Sequence, residues 1–278
     1  MHTVAILGAG DLGGALARTL ASGDWVSRIL LVDDARSVAM GKALDIRQTG
    51  PIEAYDTAVE GTDDVNAASG VDLVVLADRH GQAELSGDAA LALLDRVARL
   101  APVAPLVLAG AAHHALMTLA IKELKLPNQR LIGSASVAAA AAARALMAPA
   151  LNASPVDIGI PILGLPPTWV LAWDRACSAG APVEMPPHAA ARVEHVLAAS
   201  WPPGPYSLAS AASAVIRAAL TTSRRRFCCF QATPFGSINP VVFAAPVTLG
   251  PSGIVAVALP ELTPRQRVAL ESTVLART

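Results

Sequence analysis

The sequence predicts an α/β chain: a doubly wound parallel sheet over residues 1–133, then an α+β domain with antiparallel strands over residues 134–278. Three observations lead there. Short apolar, β-branched runs alternate with helical patterns through the first half, which implies right-handed β-α-β crossovers. A glycine turn follows the first run, at the place where such a sheet binds its ligand. Near Gly133 the alternation gives way to an alanine-rich segment and then to apolar runs broken by proline and glycine.

Taken in order, residues 4–7 read as a buried strand and residues 13–21 as the helix after it. Between them Gly8, Gly10 and Gly13 fill the three positions of G-x-G-x-x-G. The first allows a tight turn, the second lets a pyrophosphate approach the backbone, and the third lets helix and strand pack closely. Asp11 and Leu12 open the helix, whose free N–H groups and dipole favour an anion. Such a turn alone can merely reverse the chain. Here residues 28–33 form a second strand ending in Asp33, 20 residues beyond Gly13, where a carboxylate accepts ribose hydroxyls. The expected dinucleotide site is therefore Gly8, Gly10, Asp11, Leu12, Gly13 and Asp33. Strands at 71–77, 103–109 and 130–132 and helices at 38–46, 89–100 and 115–124 complete the first half.

In the second half, the alanine run within residues 136–147 strongly favours helix. A strand is expected at 156–162, a helix around 169–179, another at 189–199 within a proline-rich stretch, and a long helix at 206–220. The cluster Arg224, Arg225 and Arg226 reads as a solvated loop before strands at 227–231, 241–249 and 254–259, the last two joined by a turn at Gly250-Pro251-Ser252-Gly253. A final helix opens with Thr263 as N-cap, Pro264 at the first helical position and Gln266 at the third, a capping box.

Composition narrows the function classes. Charged residues make up only 15% of the chain and mean hydropathy is +0.48, so part of the surface is expected to be covered by another subunit. A homo-oligomer, dimer or tetramer, is expected through the alanine-rich helix at 138–145, whose small side chains permit close approach. With 21 basic and 22 acidic residues, neither nucleic acid nor an anionic membrane is an expected partner. The uncharged run 227–260 carries five prolines, which excludes a spanning helix. No basic-then-apolar leader precedes the first strand, so a cytoplasmic location is expected. Cys177 stands alone, and adjacent Cys228 and Cys229 point to opposite faces of a strand; they read as core thiols, and no spacing suggests a metal.

These pieces, in this order, resemble the lactate/malate dehydrogenase family nearly end to end. The glycine turn, Leu31-Val32-Asp33, Gly41-Lys42-Ala43-Leu44-Asp45, Leu126-Pro127-Asn128-Gln129-Arg130-Leu131-Ile132-Gly133, the long helix at 206–219 and Ala245-Pro246-Val247-Thr248-Leu249-Gly250 all match segments of that family. The resemblance implies a Rossmann-type nucleotide domain, NAD as cofactor and an α+β C-terminal domain.

The family's chemistry needs an imidazole to exchange the hydroxyl proton, a carboxylate to hold that imidazole, and arginines to clamp the substrate carboxylate. At the aligned positions this chain has Pro166 for the histidine, Ala139 for the aspartate and Ala142 for the clamp arginine, while the mobile-loop arginines fall on Gln82 and Asp88. Arg79 replaces a glycine near the cofactor, which lowers the expected affinity, and Gly110-Ala111-Ala112 replaces the family's N-P-V turn. The expectation is an NAD(H)-binding pseudoenzyme without normal 2-hydroxy-acid dehydrogenase activity and with no catalytic residues retained. Two alternatives stand beside it: an active oxidoreductase on an atypical substrate, its site rebuilt from Arg79, His80 or His113, and a structural partner subunit of an active paralogue.

Overall fold

The computed structural model describes residues 2–221, 223–235 and 238–275. In the first half the chain runs β1 (Thr3–Leu7), α1 (Asp11–Ser22), β2 (Arg28–Val32), α2 (Arg36–Glu53), β3 (Ala58–Thr62), β4 (Leu73–Leu76), α3 (Gly87–Leu100), β5 (Leu106–Leu108), α4 (His113–Leu124) and β6 (Leu131–Gly133). All six strands are parallel and lie in the order β3-β2-β1-β4-β5-β6. The order reverses between β1 and β4, and a doubly wound sheet opens its binding crevice at that switch point.

The second half comprises α5 (Ala135–Leu151), β7 (Ile158–Gly159), β8 (Ile162–Leu165), β9 (Thr168–Leu171), β10 (Cys177–Ser178), β11 (Ala181–Pro182), α6 (Pro187–Ala199), α7 (Pro205–Thr221), β12 (Phe227–Phe235), β13 (Ile238–Gly250), β14 (Gly253–Val257) and α8 (Pro264–Leu275). Its antiparallel strands do not form a separate layer. β12 pairs antiparallel with β6 and continues the same sheet as β12-β13-β8-β9, with β14 beside β13. The long uncharged stretch is thereby explained: Phe230, Phe243, Ala244 and Ala245 are completely buried at the centre of a sheet of 11 strands. Among the described residues no helix is long and apolar enough to cross a membrane.

Local sequence accounts for most elements. β1, β2 and β4 bury nearly every residue, as strands covered on both faces must. α3 buries Ala90, Leu91, Leu94, Val97 and Ala98, one apolar stripe at helical spacing. The capping box forms as expected: the Gln266 side-chain oxygen accepts from Thr263 N at 2.9 Å and Thr263 Oγ1 accepts from Gln266 N at 3.3 Å.

Three expectations are corrected. The helix around 169–179 does not exist; Thr168-Trp169-Val170-Leu171 forms β9 and pairs with β8, because an aromatic and β-branched run packs better on a pleated sheet than along a helix. The strand expected at 156–162 is split by Pro161 into β7 and β8, which lie in different sheets. β3 was not foreseen, since as an edge strand it buries only Val59 fully.

Arg130 fastens two connections of the parallel half to each other. Its buried guanidinium donates to Ala104 O at 3.0 Å and to Ala101 O at 2.7 Å, fastening the α3–β5 connection to the start of β6. The β13–β14 turn presses on the same segment, and Gly253 at φ +106° is required there because a Cβ would lie 2.0 Å from the Gln129 carbonyl oxygen. Arg130→Met should strand two buried acceptors and lower unfolding stability by about 2–3 kcal/mol, measured by urea denaturation with the m-value unchanged.

Candidate functional site

The C-terminal ends of β1 and β4 hold the glycine turn. Gly8, at φ +110°, donates to Val32 O at 2.7 Å, and a Cβ on it would lie 2.2 Å from the Asp78 carbonyl oxygen. Gly13 lies so close to β1 that a Cβ would meet Gly8 O at 2.0 Å. Lys42, on α2, donates to the Gly10 carbonyl at 2.7 Å and fixes the turn from outside. Asp11 is exposed in the first turn of α1, while the Leu12 side chain is buried beneath it.

Asp33 is 5% exposed, and its carboxylate is committed to backbone: Oδ2 accepts from Ala9 N at 2.7 Å and His80 N at 3.1 Å, Oδ1 from Ala35 N at 2.9 Å. Burial alone pushes its pKa up, but the three N–H donors together with Arg79 outweigh burial and hold the carboxyl below the usual range. Arg79 itself pairs with Asp34 at 3.0 Å. The space between Gly8, Asp33, Arg79 and Leu85 amounts to only about 20 Å³, room for roughly one water.

The anion seat at the start of α1 is filled by a side chain. Asp78, just after β4, places Oδ2 3.1 Å from Leu12 N and Oδ1 2.9 Å from Gly13 N, while its carbonyl accepts from Gly10 N at 2.9 Å. The start of α4 is capped similarly. Glu84 accepts from Ala111 N at 2.6 Å and Ala112 N at 2.8 Å, and a Cβ on Gly110 would meet its carboxyl carbon at 2.6 Å. Asp78, Glu84 and Lys42 were not assigned by sequence reasoning. The signal for Asp78 was its place directly after the strand expected at 71–77, at the end of the sheet where a ligand binds.

The residues weighed for a rebuilt site do not converge. His80 is exposed and touches Asp33 only through its backbone. His113 is buried, and its Nδ1 accepts from Gly110 N at 3.0 Å. Burial pushes His113 down to about 4 against the opposing pull of Glu84, so the ring is neutral at pH 7. Leu85 favours the charged ring without meeting hydrogen-bond geometry at Nε2. Pro166 lies buried in the β8–β9 turn, Ala139 is buried within α5, and Gln82 and Asp88 are exposed. Among the described residues no group of three or more His, Cys, Asp or Glu side chains is arranged to hold a metal.

A large cavity, about 1560 Å³, lies elsewhere, between α5, β7, α7 and the start of β12. Ala139, Ala142, Arg144, Arg225 and Arg226 line it, so two of the three clustered arginines face a hollow as well as solvent. Arg144 is half-buried; burial first, and then nearby Arg225, lower its pKa. No residue of the glycine turn, and neither Asp78 nor Pro166, lines this cavity.

Comparison with known proteins agrees with the first half's geometry. Residues 2–101 match the family model of the lactate/malate dehydrogenase NAD binding domain. The malate dehydrogenase of Thermomicrobium roseum is 25% identical over 96% of this chain and 93% of its own length, and that of Synechocystis sp. is 29% identical over 96% and 89%. Among solved structures, the lactate dehydrogenase from Cryptosporidium parvum, complexed with lactic acid and nicotinamide adenine dinucleotide, superimposes with a TM-score of 0.88 at 19% identity, covering 99% of this chain and 95% of that one.

The Asp33 contacts have a measurable consequence. A carboxyl held below its ordinary pKa stabilises the fold above the unfolded value, 3.8, and that contribution is lost as pH falls through the lower folded value. Asp33→Asn should therefore cost about 1–3 kcal/mol at pH 7 and shallow the acid limb of the stability profile below pH 3.8. Thermal unfolding followed across pH 2–7 checks both effects.

Proposed function

We infer that this chain, whose membership of the lactate/malate dehydrogenase family is supported by the matched NAD binding domain and the relatives aligned along its length, binds NAD(H) without running the family's normal 2-hydroxy-acid dehydrogenase cycle. The nucleotide-binding part is residues 1–133, with Gly8, Gly10, Asp11, Leu12, Gly13 and Asp33 as the cofactor residues, and residues 134–278 form the C-terminal domain.

One feature of the glycine turn supports this reading. The positions a Cβ would occupy at Gly8 and Gly13 are already filled by backbone, so these glycines hold helix, turn and strand at the separation a phosphate cradle needs. When bound, the nicotinamide supplies hydride transfer. The chain's own part is to hold the pyrophosphate at the start of α1 and to oppose a 2′-phosphate through the fixed negative charge of Asp33.

The noncatalytic reading rests on one observation: Pro166, Ala139, Ala142, Gln82 and Asp88 carry no imidazole, carboxylate–imidazole pair or arginine clamp. Loss of an acid/base group alone costs about 10²–10⁴ in rate, and an absent clamp also removes substrate orientation. His113, neutral and enclosed beside Gly110, is no substitute.

An active oxidoreductase on an atypical anionic substrate is the second reading. Arg144 favours it: a half-buried guanidinium on the wall of the large cavity, with no carboxylate partner among the described residues. Against it stands the separation of that cavity from the glycine turn, which leaves no shared wall where hydride could pass.

A homo-oligomer, dimer or tetramer, accompanies the leading reading. Within residues 138–145 of α5, Ala138, Ala139, Ala140 and Ala143 are buried in the chain itself, while Ala141 and Ala145 are exposed. Met40 and Leu44, one turn apart on α2, are 49% and 47% exposed and add apolar surface suited to a second copy. Light scattering at micromolar concentration should give a mass at least twice that of the monomer.

Calorimetry should detect NADH binding at millimolar ligand, with weaker binding of NADPH. With NADH and oxaloacetate or pyruvate, absorbance should show no turnover in the usual range of about 1–10³ s⁻¹. Turnover in that range would replace the leading reading with the second.

A further inference from the structure

We propose that Asp78 is an internal competitor for the phosphate seat, and that the loop from Asp78 to Gly87 is a latch which NAD(H) must displace in order to bind. The ligand's identity rests on the NAD(H) reading above; the competition itself is between a carboxylate and any phosphate.

One residue takes three of the backbone donors at the glycine turn. The Asp78 carboxylate holds Leu12 N and Gly13 N, and its carbonyl holds Gly10 N. A Cβ built on Gly10 would lie 2.3 Å from the Asp78 carboxyl carbon, so the space left open by the second glycine, the approach path of a pyrophosphate, contains this side chain. The carboxylate supplies the negative charge that the helix dipole favours. A pyrophosphate entering without displacing it would bring like charges into contact over the same N–H groups.

The latch has a second catch. Glu84, six residues on, caps Ala111 N and Ala112 N at the start of α4, and Asp78 and Glu84 are joined by an antiparallel bridge. One short loop thus closes the starts of two helices with one carboxylate each. Gly81 at φ +67° and Gly87 at φ +65° lie on either side of Glu84, and open space surrounds both, so the segment has conformationally free residues at which to swing. Ala77, by contrast, is fixed to β1 through its N–H to Leu7 O at 2.9 Å, which sets where the movement starts. Because the closed loop satisfies both helix ends, the observed affinity for NAD(H) is the intrinsic affinity reduced by the fraction of molecules in which the loop is open.

The test titrates NADH and, separately, inorganic pyrophosphate into the wild-type protein, Asp78→Ser, Asp78→Asn and Glu84→Gln, by calorimetry and by ligand-induced shift in Tm. Asp78→Asn keeps the side chain's shape and removes its charge, so a folding failure of the serine variant leaves the test intact. Both Asp78 variants should bind either ligand on the order of tenfold tighter than wild type, with Glu84→Gln shifted the same way by a smaller factor. A gain for pyrophosphate without any binding of NADH supports the latch and overturns the NAD(H) reading. Wild-type protein that already binds NADH as tightly as the Asp78 variants overturns the latch and leaves the NAD(H) reading standing. No gain in either ligand for either Asp78 variant also overturns the latch.

Discussion

The close approach of β1, α1 and β4 at the glycine turn is the constraint on which the rest of this site depends. With Gly13 touching the Gly8 carbonyl and Gly10 bonded to the Asp78 carbonyl, no side chain larger than hydrogen fits at the crossing. Everything nearby is arranged to hold that crossing. Asp33 binds the turn from the end of β2, Lys42 binds it from α2, and Asp78 closes it from β4. The three charged groups come from three separate elements and act on one short segment. The turn is therefore a rigid part of the fold, built before any ligand arrives.

Two consequences follow for chemistry. A doubly wound sheet brings the ends of β1, β4 and β5 to one edge, so the segments after them face a common crevice. Dehydrogenase chemistry would use this edge for a cofactor, a proton-exchanging imidazole and a substrate clamp. In this chain the edge is lined by carboxylates engaged with backbone and a neutral buried histidine. Each of these stabilises the protein: caps at helix starts contribute roughly 1 kcal/mol apiece, and a neutral buried imidazole avoids the cost of a desolvated charge. Groups committed to structure in this way are poorly available to a substrate.

The cavity of about 1560 Å³ shares no lining residue with the glycine turn. It lies beside α5, and on its wall burial first, and then nearby Arg225, disfavour the charge of Arg144. Arg225 is also stacked over Phe227, 5.4 Å from the ring centroid, which offsets part of that repulsion. The alanine run matters here in a way that composition alone did not indicate: its small side chains let α5 pack against α6, α7 and β12, and they leave the cavity beside it wide.

The amino-acid sequence by itself determined the elements and their arrangement wherever the physical signal is local. Strand and helix periods, the glycine spacing, Asp33 at the end of β2 and the capping box at Thr263 and Gln266 depend on residues close together in the chain, and the folded protein has them. Local signal failed at β9 and β3. At β9, Thr168-Trp169-Val170-Leu171 is strand only because β8 lies beside it; at β3, a largely polar edge strand carries little apolar alternation. The tertiary structure alone decided what each polar group does. Asp78 is an ordinary letter until folding brings it against Leu12 and Gly13, 66 and 65 positions away, and Glu84 meets Ala111 across 27. Asp33 was legible as a carboxylate at the right distance, but the direction of its lone pairs, toward Ala9, Ala35 and His80, was not. Hydrogen-bond partners are chosen by proximity in space, and that proximity is fixed by the packing of the whole sheet.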